Sequence, residues 1–222
     1  MTLEGSKLTY FNLAGRGEGI RLAFAIGGVQ YTDERVEFSE WPELKPSTPF
    51  GSLPVLTLSS GKKIAQQRAI IRLVGQETGL VPKDTVKAAL VDSLMEACED
   101  MTVKIIHEGQ GLPKEEKEAA RAKTVAEGGV VYKLMQSIDD FIGENGTNGY
   151  CVGDSITIAD LTLFTTVAFN ASGFFDGVPL NAFDSFPNIM AVRKAVRSNE
   201  AVAKWYDGLD PSIKLAPSFG PF

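Results

Sequence analysis

The apolar positions fall into two regimes along the chain. Over the first third they come in short clusters. Lys7–Phe11 alternates apolar side chains among β-prone residues and predicts a strand. Residues 12–15 predict a turn. Residues 17–26 predict a helix rich in apolar positions (Ile20, Leu22, Ala23, Phe24, Ile26), stopped by Gly27-Gly28. A second alternating strand is predicted over 31–37. Residues 41–51 hold Pro42, Pro46 and Pro49 and predict an irregular surface segment. Residues 53–58 and 62–64 flank Ser59-Ser60-Gly61 as a hairpin, and 67–77 predict a helix ended by Gly79. A βαβ unit followed by ββα makes a small mixed sheet covered by helices.

From Pro82 onward the period becomes helical. Val86, Leu90, Leu94, Cys98, Met101 and Ile105 recur every three or four residues, with Asp92, Glu96, Glu99 and Asp100 on the polar sides. Pro113 opens a further helix, with Glu115 and Glu116 suited to its positive end, predicted to run to about Ile142 across a weak Gly128-Gly129. Thr157-Ile158-Ala159-Asp160 has the form of a capping box, with Asp in place of the usual Glu or Gln and Ile156 and Leu161 at the staple positions. Residues 187–197 and 199–206 predict two more helices, and 210–222 a Pro/Gly-rich tail. Residues 81–84 read as the linker.

Charge sharpens this division. The chain of 222 residues has a net charge of -6. Residues 1–80 carry 9 Lys/Arg against 8 Asp/Glu, and the remainder carries 13 against 20. The chain has no global basic footprint, which argues against nucleic acid or an anionic membrane as the main partner. With 44% apolar and 23% charged residues, the composition is that of a globular protein. A single histidine, His107, excludes a multi-His metal site and argues against a Ser-His-Asp triad. Two cysteines, Cys98 and Cys151, do not make a disulfide scaffold, and Cys98 follows the apolar stripe as a core residue. The first residues lack the apolar run of a secretory signal, and no stretch reaches membrane-spanning length, so a cytoplasmic location is expected. In that compartment the sequons at Asn145 and Asn170 stay unmodified. Gly15-Arg16-Gly17-Glu18-Gly19 lacks the third glycine of a dinucleotide fingerprint, Ile20 standing in its place. No P-loop is present. The acidic cluster on the first long helix reads as a solvated face, although a divalent ion held by Asp92, Glu96 and Asp100 stays open.

More specific is a series of segments in fixed order: Tyr10-Phe11 at a strand end, Gly15-Arg16, Trp41-Pro42…Lys45, Leu53-Pro54, Gln66 at a helix start, and Asp154–Asp160 in the helical part. Along essentially its whole length the chain resembles the cytosolic glutathione S-transferases, most closely their sigma class, which includes glutathione-dependent prostaglandin D synthases and S-crystallins. The resemblance implies an α+β thioredoxin-like domain over 1–81, an all-α domain over 85–222, and a homodimer. It implies no tightly bound cofactor and no metal, with glutathione as cosubstrate.

It also implies roles. Tyr10 matches the catalytic tyrosine and Arg16 the arginine that sets its environment. A neutral phenol donating a hydrogen bond to the glutathione sulfur favours the thiolate, which is the nucleophile. Phe11, Trp41, Lys45, Leu53, Pro54, Gln66 and Gln67 match glutathione-binding positions, and Pro54 the proline that the family holds cis. Asp100 matches the acid that reaches across the dimer to the γ-glutamyl ammonium. Phe11, Leu13 and Ile106 match the lining of the electrophile pocket. Gln67 departs from the family's Ser or Thr, whose hydroxyl donates to the γ-glutamyl carboxylate. Conjugation of small hydrophobic electrophiles is the implied activity. A glutathione-dependent prostaglandin or lipid isomerase and a non-catalytic ligandin- or crystallin-like binding protein are the alternatives.

Overall fold

The structure, a computed structural model, describes residues 3–210. The chain divides between Pro82 and Lys83 and again between Arg197 and Ser198, so the last described helix belongs with the N-terminal residues.

The first unit is built on β1 (Lys7–Phe11), α1 (Gly15–Gly27), β2 (Thr32–Val36), α2 (Trp41–Leu44), β3 (Val55–Thr57), β4 (Lys63–Ala65) and α3 (Gln67–Thr78), and it takes in α9 (Glu200–Asp207). The strands form one sheet in the order β2-β1-β3-β4. β1 and β2 are parallel, with Lys7 opposite Thr32 and Phe11 opposite Val36, as a helical crossover requires. β3 runs antiparallel to β1, pairing Val55 with Thr9, and β4 closes the hairpin. This is the expected βαβ-ββα arrangement. Leu8, Leu56, Ile20, Leu22, Phe24, Ile70, Ile71 and Val74 are fully buried where α1 and α3 meet and cover the sheet. Each such side chain contributes about 1.5–3 kcal/mol. The helix stops lie at Gly28 and Gly79, both left-handed.

Two expectations need correction in this unit. Residues 41–51 are not irregular throughout: Trp41–Leu44 is a short helix and Lys45–Ser47 a 3-10 turn. Pro42 and Pro46 stand in the first turns, where an amide hydrogen would have no helical partner, so they start these elements rather than break them. β2 does not alternate, because Asp33, Glu34 and Arg35 are all partly buried by ion pairing.

The second unit holds α4 (Thr85–His107), α5 (Lys114–Val125), α6 (Val130–Asn145), α7 (Ile158–Asn170) and α8 (Pro187–Ser198). α7 is buried almost all round, with Ile158, Leu161, Leu163, Phe164 and Val167 fully enclosed, and it packs on α4. Its capping box forms as read: Ala159 N–H donates to Thr157 Oγ1 at 3.2 Å, and Thr157 N–H donates to Asp160 Oδ2 at 2.7 Å. Asp160 also accepts from Cys151 N–H at 2.6 Å. The expected single helix from Pro113 to Ile142 is two helices. Gly128, at φ +81°, takes a conformation that favours glycine, and Gly129 caps α6. Val86 leaves the apolar stripe. It is 67% exposed in the first turn of α4, and the buried face begins at Val91. Among the described residues, no helix is long and apolar enough to cross a membrane. Residues 211–222 of the expected tail lie outside the described residues.

Candidate active site

Tyr10 stands near the end of β1, the third of three consecutive buried residues. Its phenol oxygen accepts a hydrogen bond of 3.0 Å from the backbone N–H of Arg16, in the first turn of α1. This approach depends on glycine. A Cβ at Gly15 would come within 2.7 Å of the phenol oxygen, and one at Gly17 within 2.6 Å of ring atom Cδ1. The run that fails as a dinucleotide fingerprint is therefore what lets a helix start against a tyrosine face. Burial pushes the phenol's pKa above its ordinary value of 10.0, and the Arg16 bond and the charges of Arg16 and Arg21 offset this only in part. The group is a neutral phenol at neutral pH. With the Arg16 N–H on an oxygen lone pair, its own proton remains to be donated.

Aromatic rings continue the site. Phe11 meets the Tyr10 ring edge-on at 5.6 Å and Trp41 edge-on at 5.6 Å. Phe38, which is 64% exposed, stacks on Phe11 at 4.5 Å. Sequence reading missed Phe38. An aromatic residue two positions past β2, between Glu37 and Ser39-Glu40, was the available signal. Lys45 is exposed at the start of the 3-10 turn, a segment tied to β4 by Lys63 Nζ donating to Ser47 O at 2.8 Å. The Leu53–Pro54 peptide bond is cis. Leu53 lies two residues before Val55, where the described pairing with β1 ends. Gln66 is exposed and precedes α3 with φ 72° and ψ 116°, a combination that non-glycine residues seldom adopt. Gln67, half-buried, is the first residue of α3.

Residues 6–76 match the family model described as "Glutathione S-transferase, N-terminal domain", and residues 100–208 match "Glutathione S-transferase, C-terminal domain". The chain belongs to the glutathione S-transferase family. It is 32% identical over 203 residues to a hematopoietic prostaglandin D synthase of Gallus gallus, covering 90% of this chain and 94% of that one. It is 37% identical over 164 residues to glutathione S-transferase 1 of Ascaris suum, covering 73% and 78%. Among solved structures it resembles a monomeric glutathione S-transferase of the hookworm Necator americanus (34% identity, TM-score 0.77, 94% and 98% covered). It also resembles prostaglandin synthase D of Nilaparvata lugens (25% identity, TM-score 0.82, 93% and 98% covered).

Within the transferase, direct contacts join Tyr10, Phe11, Arg16 and Trp41. Lys45, Leu53, Pro54, Gln66 and Gln67 belong to the same unit, in the segments between α2 and α3. Leu13 is half-buried in the turn after β1, where its N–H donates to Phe11 O at 2.7 Å. Asp100 and Ile106 stand on α4 in the second unit, both exposed. Cys98 and Cys151 are fully enclosed. Burial pushes the Cys98 thiol up to about 12 and raises that of Cys151 as well, so neither is a thiolate nucleophile at neutral pH.

Proposed function

We propose that this chain is a sigma-like transferase in which the Tyr10 hydroxyl donates a hydrogen bond to the glutathione sulfur and stabilises the thiolate. The thiolate then attacks an electrophilic carbon of a small hydrophobic substrate. The observation that carries this reading is the Arg16 N–H on the phenol oxygen, which fixes the ring and leaves the phenol proton as a donor. A charge-assisted bond of this kind favours the ionised sulfur, and a free thiol near about 8.5 needs that help at pH 7. Arg16 adds positive charge beside the phenol. Trp41 and Lys45 are assigned to the glycine end of glutathione. The Leu53 backbone is assigned to the cysteinyl residue, as an added strand beyond the β1–β3 pairing, with Pro54 and Phe11 shaping that edge. Gln66 and Gln67 at the start of α3 are assigned to the γ-glutamyl carboxylate. Along the sequence the glutathione domain is assigned to 1–81 and the helical domain to 85–222, although α9 packs with the first unit, with Phe11, Leu13 and Ile106 on the electrophile.

The protein is taken to act in the cytoplasm as a homodimer, with Asp100 of the partner subunit on the γ-glutamyl ammonium. Two features support self-association. Phe50 is 70% exposed, and an apolar recess of about 210 Å³ lined by Leu94, Ala97, Leu134, Ile138 and Phe141 opens between α4 and α6. Similarity to prostaglandin D synthases favours an isomerase acting on a lipid endoperoxide as a second reading.

The test is Tyr10→Phe. Thiolate absorbance of bound glutathione, titrated with pH, should move to higher pH, and conjugation of a chloronitroaromatic substrate should fall by about tenfold or more. Coincident titration curves would remove Tyr10 from the mechanism. Turnover of a prostaglandin endoperoxide without conjugation would favour the isomerase, and near-absence of both rates a binding protein.

A further inference from the structure

The turn that carries the chain from Tyr10 to Arg16 is held by a side chain outside the site residues assigned above. Arg21, on α1, is fully buried. Its Nη1 donates to Leu13 O at 2.8 Å and Ala14 O at 3.4 Å, and its Nη2 donates to Phe11 O at 3.4 Å. Three carbonyls of the segment between the phenol and the Arg16 N–H thus converge on one guanidinium. That guanidinium is itself held. Nε donates to Asp33 Oδ1 on β2 at 3.0 Å, and Nη1 reaches Glu18 Oε2 at 3.2 Å. Asp33 is braced in turn by Arg35 at 2.8 Å. Glu18 is 1% exposed, and its other oxygen accepts a hydrogen bond of 2.8 Å from the indole N–H of Trp205 on α9. The centre of the guanidinium lies 5.7 Å from the centroid of the Tyr10 ring.

A fold that needed only stability would gain little from this arrangement. Burying an ion pair costs desolvation that its Coulomb attraction often fails to exceed, and apolar replacements are frequently as stable. What a rigid five-donor fork supplies instead is geometry. Here the geometry concerns the few backbone atoms that set the distance between the Arg16 N–H and the phenol oxygen.

We propose that Arg21 is a positioning residue for the Tyr10 phenol, and that Trp205 takes part by holding Glu18, and through it Arg21, in place. The proposal rests on the reading of Tyr10 as the thiol's hydrogen-bond donor. It gives α9, from the far end of the chain, a part in the chemistry of a strand near the start. The lone charge in the apolar stretch of α1 was the sequence signal.

The experiment uses the full chain with Arg21→Lys and Trp205→Phe, each alone and each combined with Tyr10→Phe. The readouts are the pH titration of bound glutathione thiolate and kcat/KM. Lysine keeps the charge but loses the fork, and phenylalanine keeps the aromatic packing but loses the donor. With Tyr10 present, both variants should move thiol ionisation to higher pH. Arg21→Lys should lower kcat/KM by about tenfold or more, and Trp205→Phe by about three- to tenfold. With Tyr10→Phe, neither should move the titration further, because the group they position is gone. Equal shifts in both backgrounds, or none in either, overturn the proposal. If Arg21→Lys does not fold, Trp205→Phe alone decides. If Tyr10→Phe itself leaves the titration unchanged, the thiol-activation reading fails and the positioning role with it. If Tyr10→Phe moves the titration and the other two do not, only the positioning role fails.

Discussion

The backbone N–H of Arg16 meets the phenol oxygen of Tyr10, six positions earlier, at 3.0 Å. A hydrogen bond into a phenol oxygen stabilises the phenolate, yet burial of the ring outweighs it and the pKa stands above 10.0. A folded-state pKa raised above the unfolded value gives a contribution fully present below pH 10, lost as pH rises through the folded value. Tyrosinate absorbance of the free protein, compared between wild type and Tyr10→Phe, should show the Tyr10 component ionising above 10. A Tyr10 component that titrates near neutrality would instead make the residue a phenolate base.

Much of this was legible from residue spacing. The order βαβ-ββα, the Thr157–Asp160 cap and the two regimes of periodicity follow from local chemistry, and local chemistry decided them. Where the pattern misled, one residue type had two uses. Pro42 and Pro46 mark both loops and helix starts. Gly128-Gly129 could weaken a helix or divide it, and the left-handed backbone at Gly128 decides for division. Tyr10, Arg16 and Trp41 were singled out by their order in the chain, and the structure adds the contacts among Tyr10, Arg16, Phe11 and Trp41. Trp205 was not legible, because its hydrogen bond to Glu18 spans 187 positions and leaves no periodic trace, whereas Arg21 did leave a signal as the lone charge in the apolar stretch of α1.

Asp160 is fully buried and accepts three hydrogen bonds: from Cys151 N–H at 2.6 Å, and from Thr157 N–H and Thr157 Oγ1, both at 2.7 Å. Asp160→Ala would leave buried donors unpaired, at about 1–3 kcal/mol each before relaxation. Chemical denaturation should show a loss of about 3 kcal/mol or more. Thr157→Val, which keeps the Thr157 and Cys151 N–H donors and Asp160, should cost less. Equal stability of Asp160→Ala and wild type would show that water replaces the carboxylate.

Phe50 exposes an aromatic ring in the segment between the 3-10 turn and β3. If a second copy covers it, each ring contributes about 1.5–3 kcal/mol, and two are lost per dimer in Phe50→Ser. That is roughly two decades or more in the dimer dissociation constant. Sedimentation equilibrium should then find wild type dimeric and Phe50→Ser largely monomeric. The variant should also bind glutathione more weakly through loss of Asp100 of the partner subunit. Monomeric wild type at all concentrations would refute the dimer and place the chain with its monomeric hookworm relative.

Gln67 occupies the first position of α3, behind a residue whose backbone is already unusual. A short hydroxyl there would reach the γ-glutamyl carboxylate without folding back, whereas the amide of Gln67 must bend or displace water to donate. A hydrogen bond to a charged group is worth about 1.5–3 kcal/mol, or roughly one to two decades of affinity. The N–H groups at the start of the helix survive the change, which bounds the loss. Gln67→Ser should therefore lower the KM for glutathione by up to about tenfold, with kcat for a chloronitroaromatic substrate nearly unchanged. Calorimetric titration with glutathione should show the same gain in affinity. An unchanged or higher KM would mean that Gln67 already makes the contact.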